Sequence, residues 1–158
     1  MNLTKLAVCL SRMTPRKTHI VLPLLLMIAL YWLSSIPGTP MPDEAAVHRL
    51  FLWIPPSVQN LLHVPTYAGL TLAWHWALQA WLRSRIMGAA SAGMIASLFG
   101  LFDEWHQSFV PGRYASLTDL VFNLVGVATG LWFAIRIGLQ TGNFPSTEAK
   151  GPGALPPD

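Results

Sequence analysis

Long apolar stretches alternate with short polar segments along this chain. Four of them, at residues 20–36, 58–82, 86–102 and 117–135, approach or exceed the length of about 20 mostly apolar residues that a membrane-spanning helix needs. A polar segment at residues 103–113 separates the third stretch from the fourth. The pattern therefore predicts an all-α fold of four transmembrane helices, with a polar loop between helices 3 and 4.

The composition supports this prediction. Of the 158 residues, 53% are hydrophobic and 11% are charged, whereas soluble domains average about 25% charged residues. Such a chain lacks the polar surface of a soluble protein, so we expect the lipid bilayer to surround it and expect no nucleic-acid partner. The single cysteine, Cys9, excludes an internal disulfide and a multi-cysteine metal cluster. We expect neither a metal nor a cofactor.

The positive residues indicate a direction across the membrane. All but Arg49 and Arg113 fall on one side of a four-helix arrangement, and positive residues mark the cytoplasmic side. The sequence thus predicts a multi-pass cell-membrane protein with both termini in the cytoplasm and the polar loop on the outer side. Its expected parts are a basic cytoplasmic N-terminus at residues 1–19, a four-helix membrane domain at 20–136 and a disordered cytoplasmic tail at 137–158.

Small residues suggest how two helices pack. The third apolar stretch is rich in glycine and alanine, and the fourth contains Gly126 and Gly130. Because small residues let helix backbones approach closely in a membrane, we expect these two helices to form a tight hairpin. Homodimerisation through the same glycines is the alternative, so the pattern leaves the oligomeric state open.

Polar side chains from three helices are expected to meet at the outer end. Ionisable groups inside a membrane are costly, which favours gathering them in one place. Asp103, His106 and Gln107 share a face if the third helix continues by one turn. Asp119 and Asn123 share a face of the fourth helix. We therefore predict one outer-facing polar pocket formed by His63, Tyr67, Asp103, Glu104, His106, Gln107, Arg113, Asp119 and Asn123.

Each of these side chains also has a purely structural explanation. Asp119 suits a helix cap, Asn123 an interhelical hydrogen bond, and Tyr67 a packed aromatic ring. His63 suits the membrane interface, and Glu104 points to water if it lies off the face of Asp103. In the structural explanation, His106 and Gln107 lie on a solvated turn. A salt bridge from Arg113 to an acid then holds the hairpin of the third and fourth helices together. The functional interpretation depends on so many polar groups lying together.

These residues resemble a known family. His63 and Tyr67 fit a His-x-x-x-Tyr pattern in an earlier span, whereas Gln59 and Asn60 stand where the family often has an Asp-Lys pair. Over residues 20–136 the chain resembles the VanZ-like family of bacterial membrane proteins, which implies four spans. The founding member is associated with teicoplanin resistance, so the resemblance implies a link to glycopeptide antibiotic resistance. The other matching residues are Asp103, Glu104, Gln107, residues 109–113 (Phe-Val-Pro-Gly-Arg), Ser116, Asp119, Asn123, Gly126 and Gly130.

Two functions fit the predicted pocket. In the first, it binds a lipid-linked, peptidoglycan-like or glycopeptide headgroup at the outer leaflet, and Arg113 contacts phosphate or carboxylate. The binding residues are then His63, Tyr67, Gln107, Arg113, Asp119 and Asn123.

In the second, the protein is an enzyme acting on such a headgroup. Glu104 or Asp103 with His106 serve as acid and base, or these groups hold a divalent metal together with His63. The sequence has no H-E-x-x-H, G-x-S-x-G or P-loop motif. A purely structural set of spans is a third possibility.

Overall fold

The computed structural model describes residues 17–39, 55–82 and 84–140. A 3-10 turn at Lys17–Ile20 is followed by α1 (Val21–Ser34), α2 (Pro56–Leu78), α3 (Arg85–Gln107) and α4 (Leu117–Gln140). The described residues contain no strand, which confirms the all-α prediction. Residues 1–16 and 141–158, which make up most of the predicted N-terminal and C-terminal segments, lie outside the described part of the chain.

Local sequence explains where the helices begin. Pro56 is the first residue of α2, where its missing N–H needs no partner. Ser84 precedes α3, and its Oγ accepts the Met87 backbone N–H at 3.3 Å. Ser116 precedes α4, and its Oγ accepts the Asp119 N–H at 3.4 Å. The cap of α4 is therefore Ser116, and the alternative explanation of Asp119 as the cap does not hold.

Three helices of the described residues are long and apolar enough to cross a membrane: Lys17–Ser34, Arg85–Gln107 and Leu117–Arg136. The helix α2 is not among them, because residues such as His63 and His75 lower its mean hydropathy. Large apolar side chains cover the outside of the bundle, and Trp32 is 71% and Ile86 81% exposed. An apolar outer surface of this extent calls for lipid around it.

The helix α2 lies at the centre of the bundle and packs against the other three helices. Its side chains fill the core, in which they meet two alanines and a phenylalanine of α3 and one valine of α4. Tight helix packing here relies on close contact between small and large side chains. The buried core consists of Tyr67, Leu70, Trp74, Ala92, Ala96, Phe99 and Val127.

The glycines of α4 contact α2, which differs from the predicted α3–α4 hairpin. A Cβ on Gly126 would lie 2.6 Å from the Val64 carbonyl oxygen, and one on Gly130 would lie 2.7 Å from the Ala68 carbonyl oxygen. These two glycines therefore let the backbones of α2 and α4 approach. The helices α3 and α4 also touch, with Gly93 of α3 against the Leu131 side chain.

A turn at Pro111 and Gly112 closes one end of the bundle. Gly112 has a φ of +73°, a left-handed conformation that glycine adopts without strain. The Pro111 carbonyl accepts the Gly38 backbone N–H at 3.0 Å, so the residues after α1 are fastened to this turn. We call this end of the bundle, where α1 and α3 finish and α2 and α4 begin, the Pro111 end.

Candidate functional site

A cavity of about 120 Å³ lies at the Pro111 end of the bundle. Three leucines from α1 and α2 make up the apolar wall of its lining, and polar side chains from all four helices and Arg113 make up its polar wall. The cavity is thus amphipathic, with charged groups and hydrocarbon on different walls. Its lining residues are Leu30, Leu33, Ser34, Gln59, Asn60, Leu62, His63, Thr66, Asp103, Gln107, Arg113 and Asp119.

A hydrogen-bonded chain of three side chains forms part of the polar wall. Gln107 Nε2 donates to Asp103 Oδ2 at 3.1 Å, and Arg113 Nη1 donates to Gln107 Oε1 at 3.1 Å. Asp103 and Gln107 are 4% and 2% exposed. The expected extra turn of α3 and the shared face of these two residues are both observed. The buried positions of Asp103 and Gln107 also rule out a solvated turn for the glutamine.

Arg113 is the cation of this wall. Burial lowers the pKa of its guanidinium from the ordinary value, and the carboxylates of Asp103, Asp119 and Glu104 oppose that shift. An arginine in this situation remains charged at any physiological pH. Arg113 thus interacts electrostatically with all three acids that were its predicted partners, and most strongly with Asp103.

A hydrogen bond joins α2 to α4 beside the cavity. His63 Nδ1 lies 2.7 Å from Asn123 Oδ1. An amide oxygen can only accept, so His63 donates from Nδ1, and neutral His63 keeps Nε2 as an acceptor. The interhelical hydrogen bond expected as the structural role of Asn123 is therefore confirmed. His63 lines the cavity, whereas Asn123 is buried behind it.

Glu104 lies on a different side of α3. Its Oε2 accepts the Ser116 backbone N–H at 3.0 Å, and the side chain is 5% exposed. The alternative that Glu104 points to water is therefore wrong. Successive helix positions are about 100° apart, so Asp103 faces the cavity while Glu104 faces the start of α4. Glu104 lines a separate apolar groove of about 240 Å³ together with Leu101, Trp105, Ala115, Ser116, Leu117 and Leu120.

His106 and Tyr67 have packing roles. His106 Nε2 lies 2.9 Å from Ser35 Oγ, and its ring centroid is 4.4 Å from that of Tyr31, so His106 holds the end of α1 against α3. Tyr67 is buried in the core next to Phe99, as the packed-aromatic explanation expects, and its hydroxyl lies close to the Asp103 carboxyl. Neither residue lines the cavity. Of the three acid–base candidates, only Asp103 does.

Two carboxylate oxygens of the cavity residues are left without a partner. Within the described residues, Asp103 Oδ1 and Asp119 Oδ1 are buried and accept no hydrogen bond of good geometry, although the side chains of Ser34 and Tyr67 lie close to the Asp103 carboxyl. An unmet buried acceptor costs about 1–3 kcal/mol. Such groups in a cavity mark where a hydrogen-bond donor from outside the protein is most favourable.

The acids and histidines do not converge as metal ligands. In the part of the chain that the structure describes, no three His, Cys, Asp or Glu side chains are grouped closely enough to hold a metal ion. The expected alternative, in which Asp103, Glu104 and His106 bind a metal with His63, therefore does not match the geometry. The cause is the separation of Glu104 and His106 from the cavity.

Some lining residues were absent from the predicted pocket. Gln59 and Asn60 precede His63 by four and three positions, a spacing that places all three on one helix face. From that spacing, both residues could have been predicted to line the pocket beside His63. Ser34 and Thr66 give no comparable signal, because each is a small polar residue in an otherwise ordinary apolar stretch.

Comparison with known proteins identifies a family. The family model described as VanZ/LLP1 matches residues 7–138, which is most of the 158-residue chain. No curated protein and no solved structure matched the sequence. Together with the three apolar helices, the family match indicates a membrane protein.

Proposed function

Because this chain belongs to the VanZ/LLP1 family, we propose that it is an integral protein of the bacterial cell membrane that binds a headgroup in the cavity at the Pro111 end. The headgroup is lipid-linked, peptidoglycan-like or part of a glycopeptide. The Pro111 end faces outward, both termini face the cytoplasm, and headgroup binding connects the protein to glycopeptide antibiotic resistance.

The amphipathic cavity is the observation that supports binding. Leu30, Leu33 and Leu62 form its apolar wall, and these leucines belong to helices whose outer surfaces are exposed to lipid. The polar wall contains Asp103 and Arg113. A molecule with hydrocarbon next to a polar headgroup matches both walls, because each part meets a surface of its own polarity.

The enzyme alternative has less geometric support. An acid and a base must both reach the reacting atoms, yet Glu104 faces the other groove and His106 is engaged with Ser35. Of the proposed acid and base groups, only Asp103 lies at the cavity, where His63 also lines it. The arrangement favours recognition over chemistry.

The proposal is tested by filling the cavity. Leu62 lines it, whereas Leu61, next to it on α2, does not. We expect purified wild-type protein and Leu61→Trp to retain a stoichiometric lipid-linked or glycopeptide-like compound, identified by native mass spectrometry from membranes. Leu62→Trp should retain about tenfold less, equivalent to about 1.4 kcal/mol. Equal retention by the two tryptophan variants, or no such compound in the wild type, would contradict binding in this cavity.

The proposed direction is tested by cysteine labelling. With Cys9 replaced by serine, Ser108→Cys at the Pro111 end and Thr18→Cys at the opposite end each give one reactive thiol on an exposed residue. In intact spheroplasts a membrane-impermeant maleimide should label Ser108→Cys alone, and Thr18→Cys should react only after lysis. The distribution of positive residues is the physical reason. The reverse labelling pattern would overturn the orientation.

A further inference from the structure

Among the residues that the structure describes, the charges around the cavity are unbalanced. Its lining includes two carboxylates, Asp103 and Asp119, and one guanidinium, Arg113. Arg113 already donates through Nη1 to Gln107 Oε1. Each carboxylate, by contrast, has one buried oxygen that accepts no hydrogen bond of good geometry from the described residues. The unmet groups of the polar wall are therefore acceptors.

This imbalance determines which headgroup chemistry fits. Carboxylate oxygens only accept hydrogen bonds, and buried charge is stable only when it is paired. A phosphate or carboxylate placed here would add another acceptor beside two existing ones. A positively charged donor supplies both the missing hydrogen bonds and the missing charge.

We propose that the cavity recognises the ammonium end of an amphiphile, with Asp103 and Asp119 as its acceptors. The proposal rests on the proposed binding function and narrows its ligand to amines. One primary ammonium has three N–H donors, more than the two free carboxylate oxygens require. The methylenes next to the nitrogen contact the apolar wall of Leu30, Leu33 and Leu62.

The size of the cavity agrees with a small group. Its volume is about 120 Å³, somewhat less than the roughly 150 Å³ of an engineered cavity that holds benzene. An alkylammonium end of a few heavy atoms fits such a space, whereas a sugar ring or a whole glycopeptide does not. The remainder of the ligand lies outside, toward the lipid or the solvent.

The test uses matched probes on the full-length protein in phosphatidylglycerol nanodiscs, a bilayer without amines. The probes are short-chain phosphatidylethanolamine, its N-acetyl derivative and soluble phosphoethanolamine. We expect the phosphatidylethanolamine to bind at least about tenfold more tightly than the N-acetyl lipid, which has lost the charge. Binding by soluble phosphoethanolamine as well identifies a free amine as ligand; binding by the lipid alone identifies a lipid headgroup. Either result supports recognition of ammonium.

A variant assigns the effect to the cavity. Asp119→Asn should weaken phosphatidylethanolamine about tenfold and leave the N-acetyl lipid unchanged, whereas Asp119→Glu, which keeps the charge, should restore much of the affinity. Equal binding of both lipids to the wild type, removed by Leu62→Trp, would overturn the ammonium inference and leave the proposed headgroup binding intact. Absence of binding by any amine probe would also overturn the inference. If both Asp119 variants lose binding and also show altered gel-filtration profiles, their folding is disturbed. The comparison of the probes on the wild-type protein then decides.

Discussion

Gly126→Ala is expected to lower the stability of the bundle by about 1–3 kcal/mol, the usual cost of overpacking a well-packed core. The added Cβ would lie 2.6 Å from the Val64 carbonyl oxygen and 2.9 Å from Tyr67 Cβ. Neither atom moves by a side-chain rotation, so α4 must shift away from α2. The shift also pulls Asn123, one turn away on α4, from its hydrogen bond with His63.

The measurement is the apparent melting temperature of detergent-solubilised protein, followed by size-exclusion chromatography after heating. Gly69→Ala on α2 is the matched control, because no heavy atom lies within 4 Å of a Cβ at that position. Alanine favours a helix over glycine by about 1 kcal/mol. The control should therefore melt at the same temperature as the wild type or slightly above it. A similar loss in both variants would show that the α2–α4 contact does not depend on Gly126.

Arg113→Met is expected to destabilise the Pro111 end by about 1.5–3 kcal/mol, as for other hydrogen bonds to charged groups. The substitution leaves Gln107 Oε1 without the donor at 3.1 Å and removes the cation that faces Asp103 and Asp119. Arg113→Lys should recover part of the loss, since lysine supplies the charge without the planar donors of arginine.

Arg136→Met is the control for arginine removal. Arg136 is exposed at the far end of α4, with its guanidinium carbon 5.4 Å from the centroid of the Trp132 ring, a contact of about 0.5–1 kcal/mol at an exposed site. We compare the melting temperatures of Arg113→Met, Arg136→Met and Arg113→Lys, all measured in one detergent. Equal shifts for Arg113→Met and Arg136→Met would refute a specific role of Arg113 in holding the carboxylates.

Helix positions follow from the sequence because hydropathy and length are local properties. The four helices of the structure coincide with the four apolar stretches, within a few residues at most ends. The largest difference at the polar loop is the end of α3, which extends to Gln107 although the apolar run stops at Phe102. The helix continues because the acids find buried partners: Asp103 binds Gln107, and Glu104 binds the backbone of Ser116.

Which helices meet could not be predicted from these local patterns. Gly126 and Gly130 predict a close approach, but nothing in their spacing states whether α2 or α3 is the partner. For the same reason, the sequence could not show that the residues of the predicted pocket lie at two separate sites. Asp103 and Glu104 are neighbours in sequence, and their separation into cavity and groove depends on what lies beside each face of α3. By contrast, the sequence could predict that His63 and Asp119 lie together, because each lies near the same end of its helix.

The central position of α2 has a consequence for how the protein is made. This helix is not among the apolar segments suited to crossing a bilayer unaided, yet its polar residue His63 is matched inside the bundle by Asn123. During synthesis α2 emerges before α4, so that partner does not yet exist. Its insertion is thus expected to wait for the later segments, and a nascent chain halted ahead of α4 would leave α2 poorly anchored and open to quality-control proteolysis.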